Sequence, residues 1–276
     1  MRPIVSQVCT LNSSFEDDLR DYAAAHCQGL EVWMTKLEDC IARRGVDAVR
    51  SLVVESGLEC PVASYQGGLL SSQGARREEA WRLFDERLSV CREFGIGVLV
   101  VACDVSESVS AELVGRVQHS LREAAERATV HGVRLALEFQ GKSTVGNNLQ
   151  TAVALVHDVG SPALGVCLDL FHFWVGPSKL EDLGLLSDGL LAHVQLSDLA
   201  DVAREWAADA DRILPGEGDL PVAEIVTALK ALGYTGPVSV ETMNPQLWQV
   251  PALQFAEIAT TALRCVLGLG DEGGKA

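Results

Sequence analysis

The chain is short of positive charge. Its 22 lysines and arginines stand against 38 aspartates and glutamates, a formal net charge of −16. Such a chain repels phosphate backbones and anionic headgroups, which excludes nucleic acid as the main partner and disfavours anionic membranes. Long apolar runs are missing too. The run Val98–Cys103 falls far short of the roughly 20 residues a spanning helix needs. The start, Met1-Arg2-Pro3-Ile4-Val5, has no apolar stretch of signal-peptide length, so a cytoplasmic location is expected. None of the eight cysteines forms a Cys-x-x-Cys pair, which removes the zinc knuckle and the redox pair. Several (Cys9, Cys103, Cys167) lie in apolar runs, where a thiol packs as a small hydrophobe, and reduced cysteines are expected. No Gly-x-Gly-x-x-Gly turn follows the first apolar run. Thr10-Leu11-Asn12-Ser13-Ser14 stands there instead, which counts against an open dinucleotide-binding sheet. Low-complexity sequence is absent apart from residues 268–276, which read as a disordered tail.

What is present is a single alternating pattern. Apolar residues make up 48% of the 276, enough for a large core. Short β-branched runs alternate with stretches of helical period. Strands are expected at residues 4–8, 29–33, 60–64, 98–103, 134–139, 164–169, 191–196 and 237–241. Helices are expected at 15–25, 75–94, 108–131, 149–159, 222–232 and 251–267. Gly95, Gly132, Gly160 and Gly233 follow four of these, as helix stops should. Eight strand–helix units without a long linker predict one (β/α)8 TIM barrel over residues 1–267.

In such a barrel the chemistry sits where the strands end at their C-terminal side. Strands five to eight there read Leu137-Glu138-Phe139, Leu168-Asp169-Leu170, Val194-Gln195-Leu196 and Val240-Glu241. A carboxylate inside an apolar run is costly to bury, and three at one mouth repel each other. A divalent cation resolves both problems. Glu138, Asp169 and Glu241 with the amide oxygen of Gln195 form an oxygen-rich ligand set. It suits Mn²⁺ or Mg²⁺ best and accommodates Co²⁺ or Zn²⁺. Around them, His172 and His193 are candidate contacts, and Arg212 is the best cation of the loop after strand seven. Glu31, Tyr65, Gln66 and Asp104 stand at or just past earlier strand ends as contacts to hydroxyls, and Trp33, Trp174 and Trp248 as apolar walls. Asp198 either orients a ligand or caps a loop. The glycine-rich turn Pro215-Gly216-Glu217-Gly218-Asp219 carries two carboxylates, which would repel a phosphate.

The blocks Leu-Glu-Phe at 137–139, Leu-Asp-Leu-Phe-His at 168–172, His-Val-Gln-Leu-Ser-Asp at 193–198, Pro-Gly-Glu-Gly-Asp at 215–219 and Ser-Val-Glu-Thr at 239–242 resemble the xylose isomerase-like TIM barrels. That superfamily holds sugar isomerases and epimerases, inosose and 3-dehydroshikimate dehydratases, and type IV AP endonucleases. The resemblance implies that Glu138, Asp169, Gln195 and Glu241 bind one divalent metal and that His172 touches the substrate. It further implies an isomerase or epimerase acting through a metal-stabilised enediolate, with Glu138, Glu241 and His172 catalytic. Arg212, His193, Tyr65 and Glu31 would then bind a non-phosphorylated sugar or polyol-derived substrate. A dehydratase shares the first step and stays open as the alternative, as does a homo-oligomeric state. An endonuclease would want more histidines than six and a basic face.

Overall fold

The computed structural model describes residues 1–187 and 189–270, so most of the expected tail lies outside the described residues. Eight strands, β1 (Arg2–Ser6), β2 (Gly29–Trp33), β3 (Glu59–Gln66), β4 (Val98–Cys103), β5 (Arg134–Phe139), β6 (Leu164–Asp169), β7 (Leu191–Leu196) and β8 (Pro237–Val240), follow each other in sequence order round a closed parallel barrel. Helices α1 (Phe15–Ala24), α2 (Met34–Arg44), α3 (Val46–Ser56), α4 (Gly74–Phe94), α5 (Ala111–His131), α6 (Leu149–Val159), α7 (Leu170–Val175), α8 (Val222–Ala231) and α9 (Ala252–Leu267) connect and close it. This is the (β/α)8 TIM barrel. Every residue of β6 and β7 is buried, as expected of parallel strands covered on both faces.

Three helices depart from the sequence reading. α2 buries Met34, Leu37 and Cys40, three apolar positions at helical spacing among charges, and a glycine at φ +82° separates it from α3. α7 begins immediately after β6 inside an apolar run that reads as more strand. It begins there because Asp169 caps it, the carboxylate accepting from the His172 N–H at 3.1 Å. β1 stops at Ser6, and the apolar residues beyond it turn through a short 3-10 segment, Gln7–Thr10.

The chain divides into two compact units. The first comprises Met1–Glu31, Thr35–Glu59 and the chain from Gln195 onward. In it the Ser14 hydroxyl caps α1, accepting from Asp17 N–H at 3.1 Å. Glu16, in the first turn of α1, receives Arg43 at 2.9 Å and Arg44 at 3.0 Å from the end of α2. The second unit comprises Val32–Met34 and Cys60–Val194, built on the ladders β3–β4, β4–β5 and β5–β6. Its core includes Leu99, Leu135, Leu137 and Val166 on the strands and Val117 and Leu121 on α5.

The Glu16 cluster gives the first testable expectation. Hydrogen bonding to Arg43 holds the Glu16 carboxyl down to about 2. A depressed folded pKa contributes stability above the unfolded value, roughly 4.3, and loses it as pH falls towards the folded value. The arginines are half exposed, so the contribution is about 1 kcal/mol. Urea titrations should show Glu16→Gln weaker than wild type by that amount at pH 7, with the gap closing as pH falls from about 4.5 to about 2. A gap that stays constant over that range would contradict the ion pair.

Candidate functional site

In the second unit, the pairing Glu138↔Cys167 puts Asp169 of β6 two residues further along than the level of Glu138 on β5. Both carboxylates are buried, with Asp169 wholly inaccessible. Because Asp169 caps α7, the helix starts at once and returns the His172 side chain to the same strand ends. One oxygen of each carboxylate and one imidazole nitrogen then lie within 4.8 Å of one another. Atoms bonded to a common cation at 2.0–2.6 Å can be at most about 5.2 Å apart, so this triad fits a divalent ion. Gln140, two residues past Glu138, donates its amide to Glu138 Oε2 at 3.2 Å. A Cβ on Gly176 would stand 2.4 Å from Asn147 O and 2.8 Å from His172 O. Only glycine therefore lets the loop after β5 close on α7, which fixes the imidazole's approach.

In the first unit, Gln195 donates its amide nitrogen to Glu241 Oε1 at 2.8 Å and to Glu31 Oε1 at 3.0 Å. Ser239 Oγ donates to the other oxygen of Glu31. Arg212 is almost wholly buried, and its guanidinium reaches Glu241 Oε2 at 3.1 Å and Asp209 Oδ1 at 2.8 Å. The residues after β8 are tied to the turn after β1. The thiol of Cys9 accepts from Thr242 N–H at 3.1 Å and donates to Val240 O at 3.4 Å. Burial pushes that thiol up to about 12, so it acts as a neutral hydrogen-bonding group.

The long loop after β7 is organised by Asp198. Its Oδ1 accepts from Leu199 N–H and Leu220 N–H at 2.9 Å, and its Oδ2 accepts from Gly216 N–H at 2.9 Å. A Cβ on Gly218 would stand 2.2 Å from Leu199 O and 2.6 Å from Asp198 Oδ1. Of the two readings of Asp198, the structure thus presents the loop cap. The backbone N–H groups that could cradle an anion are already turned on its carboxylate.

The other residues that the sequence brings into view stand as follows. Tyr65 is 42% exposed and stacks on Trp33, with ring centroids 5.3 Å apart. His193 is fully buried on β7. Glu31, expected among the substrate contacts, is fully buried among protein donors. Gln140, Ser239 and Cys9 were not anticipated. The first two could have been found from spacing, since each stands two residues from a candidate glutamate at a strand's C-terminal end. His172 is expected as a catalytic group touching the substrate, and its ring also stands within ligand distance of the two carboxylates.

None of the eight cysteines forms a disulfide among the described residues. No helix among the described residues is long and apolar enough to cross a membrane.

A family model for xylose isomerase-like TIM barrels matches residues 19–264. An inosose isomerase of Halalkalibacterium halodurans is 31% identical over 180 residues, covering 64% of this chain and 64% of that protein. A 3-dehydroshikimate dehydratase of Pseudomonas aeruginosa is 28% identical over 243 residues, covering 85% of this chain and 37% of that protein. The chain therefore spans less than two thirds of either relative. A crystal structure described as IOLI protein with a binding zinc atom superposes with a TM-score of 0.91 at 23% identity, over 97% of this chain and 98% of that one. At that identity the likeness is one of fold.

Proposed function

The chain belongs to the xylose isomerase-like TIM barrel family, and from that premise we propose that it is a divalent-metal-dependent isomerase or epimerase of a non-phosphorylated sugar or polyol-derived carbonyl compound. The observation that carries this reading is the Glu138–Asp169–His172 triad, two buried carboxylates and a part-buried imidazole whose ligand atoms lie within 4.8 Å of one another. In this reading Glu138 and Asp169 would hold the ion, and the resemblance adds Gln195 and Glu241 to the residues that would ligate it. The oxygen-rich set favours Mn²⁺ or Mg²⁺, and Co²⁺ or Zn²⁺ also suit it. The structural neighbour named for its zinc atom supports the presence of a metal.

A bound cation polarises the substrate carbonyl and stabilises the negative charge that develops when the neighbouring carbon loses its proton. The protein groups do the rest. Glu138 takes that proton, and Glu241 delivers one to the adjacent position or the opposite face. His172, held by the α7 cap, donates to a substrate oxygen. Arg212 fixes Glu241 and grips a second substrate oxygen. The occupied N–H groups around Asp198 and the nearby Glu217 and Asp219 support a substrate without phosphate.

A dehydratase is the second reading, favoured by the dehydratase relative's alignment over 85% of this chain. There His172 would protonate a leaving hydroxyl β to the carbonyl. Incubation of metal-loaded protein with ketoses, inososes and dehydroshikimate in D₂O separates the two. Deuterium incorporation without loss of water is the expected result; water loss would establish the lyase. Full turnover after metal analysis confirms that a chelator has stripped the protein would end both.

Arg212→Ala should leave metal content near wild type and lower kcat/KM by roughly 10²–10⁴, the range for losing a positioned catalytic group. Unchanged kinetics would confine Arg212 to its structural pairs with Glu241 and Asp209.

A further inference from the structure

We infer that Glu31 is a positioning residue that locks the side-chain amide of Gln195, nitrogen inward and carbonyl oxygen outward. The two ends of a glutamine amide have nearly the same shape and opposite hydrogen-bonding character. Here the nitrogen stands 3.0 Å from Glu31 Oε1 and 2.8 Å from Glu241 Oε1. With the amide flipped, its oxygen would face two carboxylate oxygens at those same distances. Acceptor against acceptor, in a setting where Gln195 and Glu31 are both buried, leaves desolvated groups without compensation. Glu31 is itself held, because Ser239 Oγ donates to its second oxygen. Three strands thus meet in one network: β2 carries the carboxylate, β7 the amide, and β8 supplies the hydroxyl.

The consequence for function rests on the metal reading above. An amide can ligate a hard cation only through oxygen. A residue at position 195 that could rotate would spend part of its time presenting an N–H₂ group to the ion. Glu31 removes that option before any metal arrives. It acts through Gln195 and need not touch substrate, which accounts for its complete burial.

The test uses Glu31→Met, which removes the acceptor while keeping an unbranched side chain of similar bulk. The Gln195 side-chain amide is followed in ¹H–¹⁵N spectra of metal-free protein, assigned by its loss in Gln195→Ala. Mn²⁺ affinity is measured by calorimetry. Glu31→Met should shift the amide protons upfield and weaken Mn²⁺ binding roughly 10–100-fold, the range for groups that orient a ligand. Glu31→Gln, whose carbonyl can still accept, should recover part of the loss. In a Gln195→Ala background Glu31→Met should change the affinity no further, since a residue acting only through Gln195 has nothing left to act on. Equal Mn²⁺ affinity in Glu31→Met and wild type would overturn the inference while sparing the metal reading. So would an additive loss in the Gln195→Ala background. A wild-type protein that binds no divalent ion would overturn the metal reading. The lock would then be decided in the metal-free spectra, where an unmoved amide resonance refutes it and an upfield shift sustains it.

Discussion

Asp169→Asn should abolish metal binding and lower kcat/KM on the order of 10³-fold, while the protein melts within a few degrees of wild type. The two halves of this expectation come from two jobs done by one side chain. As a cap, Asp169 accepts the His172 N–H at 3.1 Å and starts α7. Asparagine caps a helix as well as aspartate does, so α7 and the imidazole it carries should stay in place. In its proposed role as a ligand, Asp169 offers a buried negative charge beside Glu138 and His172. Asparagine cannot supply that charge. A Lewis-acid cation contributes several kcal/mol of transition-state stabilisation, and each 1.36 kcal/mol is tenfold in rate. Asp169→Ala should lose the cap as well, with about 1 kcal/mol of stability. Metal content by elemental analysis, thermal melts and steady-state kinetics on the three proteins separate the roles. An Asp169→Asn protein that keeps its metal would remove Asp169 from the ligand set and leave it a cap.

The extent to which the sequence disclosed this molecule follows from where each side chain finds its partners. β2, β4, β5, β6 and β7 lie at the expected residues because each is a short apolar run closed by polar or turn residues. β1 ends before the strand expected at residues 4–8 does, because Val8 and Cys9 continue the apolar run although the chain has already turned and buries them in the 3-10 segment. The candidate ligands Glu138, Asp169, Gln195 and Glu241 stand out in sequence for the same reason as the strands, each interrupting or closing an apolar run. Nothing local marks Glu31 as the partner of Ser239, because 208 residues separate them and only barrel closure brings β2 and β8 to the two sides of β1. Asp198 shows the same limit. Its sequence neighbourhood allows a ligand contact or a loop cap, and the choice depends on Gly216 and Leu220, folded back from beyond the loop.

Lys36→Met should be the most destabilising single change in the first unit, by about 3–5 kcal/mol at neutral pH. Nothing in the charged sequence of α2 distinguishes this lysine from a surface one, yet its side chain is 8% exposed. Its ammonium donates to Asp18 Oδ2 and to Thr10 O, both at 2.6 Å. Asp18 is completely inaccessible and also accepts from Gln7 Nε2 at 3.0 Å and Thr10 Oγ1 at 2.9 Å. Burial pushes the Asp18 carboxyl up and the Lys36 ammonium down, opposed by their mutual attraction. Removing Lys36 leaves the carboxylate buried without its cation, and its folded pKa must rise further. The sign of the pH dependence follows. An acid whose folded pKa lies above its unfolded value, roughly 3.9, destabilises the fold increasingly as pH rises from the unfolded towards the folded value, and levels off above it. The deficit of Lys36→Met should therefore be small near pH 4 and full near pH 8, and Asp18→Asn in the same chain should restore most of it by leaving no charge unpaired. The change should also reach the candidate site. Asp18 and Lys36 pin Thr10, the residue after Cys9, and Cys9 holds the backbone on either side of Glu241 through Val240 O and Thr242 N–H. Well below the melting temperature, kcat/KM should fall in Lys36→Met and recover in the double variant. Denaturation at several pH values together with kinetics on the four proteins of this cycle tests both claims. A Lys36→Met protein whose stability deficit is the same at pH 4 and pH 8 would show that the buried charge at Asp18 is not what Lys36 compensates.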